Sequence, residues 1–91
     1  MRIDYLSSYD RSFRKLRPSL QKEAELAIGR LMDSLVSGIR PQGLGLRKLR
    51  NDFWEVRIDL AHRILFRLRK DWLTVVLVGS HNDIHRYVKD F

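Results

Sequence analysis

The sequence has 91 residues, of which 44% are hydrophobic and 32% are charged, and it contains no cysteine. This length accommodates one hydrophobic core, so we expect a single domain over residues 1–91, and the composition excludes an intrinsically disordered chain. Without cysteine the chain forms neither disulfides nor thiolate metal sites, and it shows neither a signal-peptide core nor a run of about 18 apolar residues. We therefore expect a cytoplasmic protein that does not associate with membranes.

The N-terminal half predicts a short strand and two helices. Residues 2–7 alternate between polar and apolar side chains, and Ser8 is a candidate cap for a first helix. Because the residue before a proline avoids the helical region, Pro18 should begin a second helix, which Gly38 and Pro41 should end. Apolar residues recur in this second helix at spacings of three and four, namely Leu20, Ala24, Ala27, Ile28, Leu31, Met32 and Leu35.

From residue 46 the hydrophobic period changes from 3.6 to 2, which predicts a block of strands. The segments are Leu46–Arg50, Phe53–Asp59, Arg63–Arg69 and Trp72–Gly79. The last is almost entirely apolar, so it should lie in the interior of the sheet. His81–Phe91 is typical of a closing turn or helix, with Asn82 or Asp83 near its start as the cap. Trp54 and Trp72 belong to apolar strands and should be core residues rather than base-stacking platforms.

Helices followed by strands predict an α+β domain, with the helices on one face of an antiparallel sheet. The alternation should turn one set of side chains of the central hairpin toward the helices, namely Trp54, Val56, Ile58, Ile64, Phe66 and Leu68. The opposite set, which is Glu55, Arg57, Arg63 and Arg67, should then project together from an open face.

Two registers of this hairpin satisfy the requirement that paired residues share a face. One places Arg57 opposite Arg63, which is an unfavourable pair unless an anion lies between the two side chains. The other places Asp59 opposite Arg63 and Glu55 opposite Arg67, as cross-strand ion pairs. The sequence leaves both registers open.

The positive charge is concentrated in the same region of the sequence. The net charge is +7, and residues 47–70 carry eight basic and three acidic residues. Clustered lysine and arginine side chains are typical of nucleic-acid binding, since they displace counterions from phosphates. A basic surface that is merely solvated is the alternative. The candidate phosphate-binding residues are Lys48, Arg50, Arg57, Arg63, Arg67, Arg69 and His85.

The segments WEVRI at 54–58, HRILF at 62–66 and GSHNDIH at 79–85 resemble the RelE/ParE toxin superfamily. The resemblance extends over nearly the whole chain. It implies two N-terminal helices packed on one face of a small curved antiparallel sheet, followed by a short C-terminal helix. Most relatives of the RelE, YoeB, YafQ and HigB type are ribosome-dependent mRNA endonucleases that a cognate antitoxin neutralises, whereas ParE members poison DNA gyrase.

The resemblance also suggests functional residues. Arg63 in HRILF matches a phosphate-contacting arginine, and Glu55 and Arg57 lie in the strand where such toxins commonly place catalytic or substrate-binding charges. His81 matches the histidine that follows Gly-Ser or Gly-Thr in YafQ-like endings, whereas His85 stands where those proteins carry an aromatic residue. The chain departs from HigB-type relatives by lacking a C-terminal Lys-Lys pattern. It also lacks the C-terminal tyrosine at the YoeB spacing, although Tyr87 lies nearby.

Metal-free RNA cleavage needs a base for the 2′-hydroxyl, an acid for the leaving 5′-oxygen and positive charge for the phosphorane. We expect His81 to serve as general acid or base, Glu55 to be the alternative base, and Arg57 and Arg63 to stabilise the charge. Glu55 has an equally plausible alternative role in a structural ion pair. His81 and His85 have helical metal-ligand spacing, but no further ligand completes a site, so we predict neither metal nor cofactor.

The predicted function is therefore the toxin of a type II toxin–antitoxin system, acting on mRNA at the ribosome and bound by a cognate antitoxin. A ParE-like gyrase inhibitor is one alternative, and it would not need His81. A non-catalytic RNA- or ribosome-binding domain is another, since one fold hosts many functions. The remaining histidine, His62, falls in the predicted hairpin loop and should be an exposed residue without a role.

Overall fold

The secondary structure follows the order that the sequence predicts. The computed structural model describes residues 1–40 and 42–91, so Pro41, one of the two predicted helix-ending residues, lies outside the described residues. The elements are β1 (Arg2–Tyr5), α1 (Ser7–Arg14), α2 (Pro18–Ser37), β2 (Leu46–Arg50), β3 (Phe53–Arg57), β4 (Arg63–Arg69), β5 (Trp72–Gly79) and α3 (His81–Val88). No helix among the described residues is both long and apolar enough to cross a membrane.

The described strands form one sheet in the order β1-β5-β4-β3-β2. Strands β2 to β5 are antiparallel neighbours, as predicted, but β1 pairs with β5 in the parallel direction, so the sheet is mixed. The physical reason is the connection: α1 and α2 carry the chain from β1 to the far edge, and three hairpin turns then return it beside β1. The alternating side chains of residues 2–5 predict a strand, but they contain no information about its direction.

Helices α1 and α2 cover one face of the sheet and form the larger core with it. Pro18 occupies the first turn of α2, and Gly38 ends the helix in the left-handed conformation at φ 77°, as the sequence predicts. The predicted apolar stripe faces the sheet, where Ala24 and Leu31 are completely buried. The opposing strand residues are Val56, Ile64, Phe66, Leu73 and Val75, with Trp54, Ile58 and Leu68 packed at the margin. These contacts confirm the predicted inward face of the hairpin.

The opposite face of the sheet is not open, as the sequence analysis expected, because α3 packs against it. Ile84 and Val88 of α3 join Phe53, Leu65 and Val76 in a second buried cluster. A shift in register between β4 and β5 places an extra residue in β5 opposite Leu65, and this β-bulge supplies additional apolar surface to the same cluster. The apolar pair of α3 was visible in the sequence, but its spacing does not say which sheet face it covers.

The helix caps differ from those that the sequence predicts. The cap of α3 is Ser80, whose Oγ accepts from Asp83 N at 3.1 Å while the Asp83 carboxylate accepts from Ser80 N at 2.9 Å. Ser8 does not cap α1, which begins after Leu6. Instead, Ser8 Oγ donates to the Val76 carbonyl at 2.6 Å, so the side chain binds the sheet rather than its own helix.

The register of the central hairpin places Arg57 opposite Arg63. The alternative register is therefore wrong, and Asp59 binds within its own turn: its Oδ1 accepts from His62 N at 2.7 Å and lies 3.0 Å from His62 Nδ1. His62 is consequently part-buried rather than freely exposed. Trp72 also differs from its prediction as a core residue, since it is 39% exposed and donates from Nε1 to Asp4 at 2.8 Å.

Candidate functional site

A cavity of about 240 Å³ lies between α3 and the strands β2 and β3. Its polar lining consists of Arg47, Arg50, Glu55, His81, His85 and Lys89, and its apolar floor belongs to the second buried cluster. Four of these six residues are among the predicted site residues. The fold therefore brings together charged and titratable side chains of the strands and of α3 that lie at least 26 residues apart in sequence.

Glu55 is the most constrained residue of this cavity. It is only 3% exposed, and its Oε2 forms an ion pair with Arg63, with Nε at 2.6 Å. Its other oxygen, Oε1, is closed off from water and has no hydrogen-bond partner among the described residues. A buried polar atom without a partner is costly and rare, and such atoms concentrate at functional sites. Glu55 thus forms an ion pair, as one of its two predicted roles requires, but its partner is Arg63 rather than Arg67.

The two histidines stand at the start of α3, on the rim of the cavity. Both are exposed, and their rings stack with centroids 6.3 Å apart and planes inclined by 19°. The capping box at Ser80 fixes the first turn of the helix and hence the position of His81. Within the residues that the structure describes, no group of three or more histidine or carboxylate side chains is placed to hold a metal ion.

Ion pairs divide the predicted phosphate-binding arginines of β3 and β4, which are Arg57, Arg63, Arg67 and Arg69. Asp52 binds two of its members, with its Oδ1 2.9 Å from Arg67 Nη2 and its Oδ2 2.5 Å from Arg69 Nε. Burial raises the pKa of Asp52, but the hydrogen bonds from Arg69 and Arg67 outweigh that effect and hold the pKa below its usual 3.8. Arg57 is exposed and has no ion pair among the described residues. Of the arginines on β3 and β4, Arg57 therefore keeps its charge available.

The phosphate-binding residues predicted on β2 separate onto two faces. Lys48 pairs with Trp54 and holds its Nζ 5.9 Å from that ring, on the side of α1 and α2. A register shift between Lys48 and Arg50 turns Arg50 to the cavity instead, alongside Arg47. Strict alternation along the strand would place the side chains of residues 48 and 50 on the same face of the sheet.

The sequence analysis missed Arg47 and Lys89 as cavity residues. Lys89 follows His85 by four positions and His81 by eight, which is the spacing of one helix face, and this signal was available in the sequence. Arg47 shares a face with Glu55 because the two residues are cross-strand partners. Only the pairing of β2 with β3 reveals that relationship.

Comparison with solved structures relates this arrangement to known proteins. A chain of the RelB-RelE antitoxin-toxin complex from Methanococcus jannaschii matches with a TM-score of 0.70 at 14% identity, over 93% of this chain and 98% of that one. YafQ from E. coli strain BL21(DE3) matches with a TM-score of 0.63 at 14% identity, over 92% and 98%. The chain has the fold of the RelE and YafQ toxins.

A third solved structure is also similar to this RelE-like fold. The YoeB/ParE toxin from Agrobacterium tumefaciens matches with a TM-score of 0.67 at 18% identity, over 89% of this chain and 99% of that one. No family model and no curated protein sequence matches the chain. The RelE-like fold expected from the sequence motifs is thus confirmed by structure, while the assignment of its cavity rests on the residues described above.

Proposed function

We propose that the protein is the toxin of a type II toxin–antitoxin system and that it cleaves mRNA on the ribosome, in the cytoplasm, without a metal ion. The observation that carries this proposal is the cavity itself. It joins a histidine at a capped helix terminus, a buried carboxylate with one oxygen unpartnered, and several cationic side chains. The RelE-like fold supports the same function.

The proposed reaction is an internal transfer at one phosphate of the RNA. The 2′-oxygen loses its proton to a base and bonds to phosphorus, the bond from phosphorus to the 5′-oxygen breaks, and an acid protonates that oxygen. The products are a 2′,3′-cyclic phosphate and a 5′-hydroxyl. Each step needs proton transfer or charge stabilisation, which histidine and arginine side chains supply.

We assign the proton transfers first to His81. Its side chain is exposed on the cavity rim, where RNA can reach it, whereas Glu55 lines the cavity but is only 3% exposed, with its Oε1 closed off from water. Glu55 is the alternative base, and it acts directly only if bound RNA opens a path to Oε1. Arg57 and Arg63 are assigned the stabilisation of the phosphorane, and the exposed Arg50 and His85 are assigned phosphate binding.

We propose that a cognate antitoxin controls this activity. The M. jannaschii match is an antitoxin–toxin complex, which supports a protein partner of the same kind here. The cavity rim is basic, so an acidic or amphipathic antitoxin segment is the complementary partner, added as a helix in a groove or as a strand at a sheet edge. A segment placed there would cover the residues assigned to catalysis.

The test is to induce the protein without its neighbouring gene and to map the 5′ ends of cellular messages. We expect new ends within translated reading frames, and we expect them to vanish when His81→Ala is induced to the same level. DNA damage with intact messages would instead identify a ParE-like gyrase inhibitor. Arrested translation without new ends would identify a non-catalytic ribosome-binding domain.

A further inference from the structure

A second feature of the molecule lies outside the cavity, in a groove between the helices. The groove has a volume of about 540 Å³ and is formed by Tyr5 at the end of β1, by one side of α1 and by Glu25, Ile28 and Gly29 of α2. It shares no lining residue with the cavity between β3 and α3. The proposed nuclease activity therefore does not account for it.

Aromatic rings form one wall of this groove. Tyr5, Tyr9 and Phe13 follow one another at intervals of four residues, with ring centroids 5.5 Å and 5.6 Å apart. Tyr9 is only 4% exposed, yet it lines the groove, and its hydroxyl has no hydrogen-bond partner among the described residues. The hydroxyl oxygen is not among the buried unpartnered atoms of the described residues, so it faces the groove and is available to a polar ligand group.

The groove is acidic, although the chain carries 18 lysine and arginine residues against 11 acidic residues. Asp10 and Glu25 line it, and neither forms an ion pair with any described residue. Burial raises the pKa of Tyr9, and electrostatic interactions with Tyr5, Glu25 and Asp10 raise it further, so both carboxylates lie close enough to act on the ring. The groove thus offers two carboxylates to a cationic group, although the protein as a whole is basic.

Gly29 forms part of the groove and lies within the 20-residue helix α2. Glycine destabilises the interior of a helix relative to alanine. No packing requirement explains its presence, because a Cβ built on Gly29 would meet no atom within 4 Å. The missing side chain does, however, leave the groove open.

We infer that this groove binds the guanidinium group of an arginine side chain presented by a protein partner. Aromatic faces attract a cation, and a planar guanidinium stacks on a ring while donating hydrogen bonds to carboxylates. Glu25 supplies the carboxylate, Tyr9 supplies a hydroxyl acceptor, and Gly29 leaves room for the side chain. This interaction is independent of RNA cleavage. It would give the protein a second contact with its partner, at a basic side chain of that partner.

The test uses the full chain and two small probes, acetyl-arginine amide and the uncharged acetyl-citrulline amide, followed by NMR of backbone amides. We expect the arginine probe to shift the signals of Tyr9, Glu25 and Gly29 and the citrulline probe to leave them unchanged. Glu25→Gln should weaken binding of the arginine probe about tenfold, since hydrogen bonds to charged groups are the strong ones. Glu23→Gln, on the same helix but outside the groove, is the matched control and should bind as the wild type does.

Gly29→Leu provides a second variant, because it should fill the groove without removing a charge. We expect it to abolish binding of the arginine probe while RNA cleavage continues, which separates this inference from the proposed nuclease function. Equal shifts from both probes, or unchanged affinity in Glu25→Gln, would overturn the inference. Tighter binding of spermidine to the same residues would also overturn it, because the groove would then serve a free polyamine.

Discussion

Arg63 Nε lies 2.6 Å from one oxygen of the buried Glu55 carboxylate, and the other oxygen has no partner in the part of the chain that the structure describes. The two residues lie diagonally across β3 and β4, since the direct partner of Glu55 is Leu65 and that of Arg63 is Arg57. This ion pair is what allows a carboxylate to be almost completely buried in the lining of the cavity. It also fixes the Arg63 guanidinium beside the assigned site.

Arg63→Ala should therefore lower the free energy of unfolding by about 3 kcal/mol, because it leaves the buried Glu55 charge unpaired. Arg57→Ala is the control and should change it by less than about 0.5 kcal/mol, since Arg57 is exposed and forms no ion pair with any described residue. Urea unfolding measures both values. Replacing both partners, as Glu55→Leu with Arg63→Met, should restore much of the loss, and no restoration would mean that the pair is not the cause.

His81→Ala should reduce the single-turnover cleavage rate by about a hundredfold or more, the usual effect of losing a general acid or base. Folding should be retained because His81 is exposed and its loss leaves no cavity. His62→Ala is the matched control, since His62 binds Asp59 in the hairpin turn and should affect the rate little. A well-folded His81→Ala protein that cuts RNA at the wild-type rate would transfer the proposed role to Glu55.

Charge reversal should show that the two faces of the sheet contribute unequally to RNA binding. Arg50→Glu and Arg57→Glu should each weaken RNA or ribosome binding and lower the slope of log K against log salt by about one or more. Lys48→Glu makes the same change on the opposite face of the sheet, beside Trp54, and should alter the slope least. Equal effects at all three positions would indicate non-specific attraction to the net charge rather than binding on the sheet face that carries Arg50 and Arg57.

Two glycine-to-alanine substitutions should change the free energy of unfolding in opposite directions. In Gly79→Ala the new Cβ would approach Asp83 Oδ2 to 2.7 Å, so the capping box of α3 must shift and both stability and cleavage should fall. Gly29→Ala has open space around its Cβ and should raise the free energy of unfolding by about 0.5 to 1 kcal/mol. Thermal and urea unfolding decide the signs, and a stabilised Gly79→Ala would contradict the described geometry.

The stability of α3 should depend on pH through Asp83. Hydrogen bonds from Ser80 to the carboxylate lower the pKa of Asp83 in the folded protein below its usual 3.8, and Arg86 adds to the effect. A lowered folded-state pKa means that the unfolded chain binds the proton more tightly, so this contribution is present above about pH 4 and is lost as the pH falls through the folded-state pKa. The difference in urea stability between wild type and Asp83→Asn should therefore shrink between pH 6 and pH 2, whereas a constant difference would exclude the mechanism.

Much of the fold follows from hydrophobic periodicity, and the errors have local physical causes. Alternation in residues 53–69 correctly separates the side chains that face α1 and α2 from Glu55, Arg57 and Arg63. Bulges are insertions that alternation does not detect, so the separation of Lys48 from Arg50 was missed. The site is also only partly predictable. His81 and Glu55 follow from motifs, but their meeting in one cavity depends on how α3 packs on the sheet, which no sequence pattern specifies.

Two serine hydroxyl groups of α1 cover the part of β5 that extends beyond β1. Beyond the end of β1, Ser8 Oγ donates to Val76 O and Ser12 Oγ accepts from Val78 N at 3.1 Å, so a helix continues the pairing that the short first strand leaves unfinished. This stretch of β5 is thereby closed to an incoming strand. The other boundary of the described sheet is β2, next to Arg47 and Arg50, so an extended partner chain adding there would lie directly against the cavity.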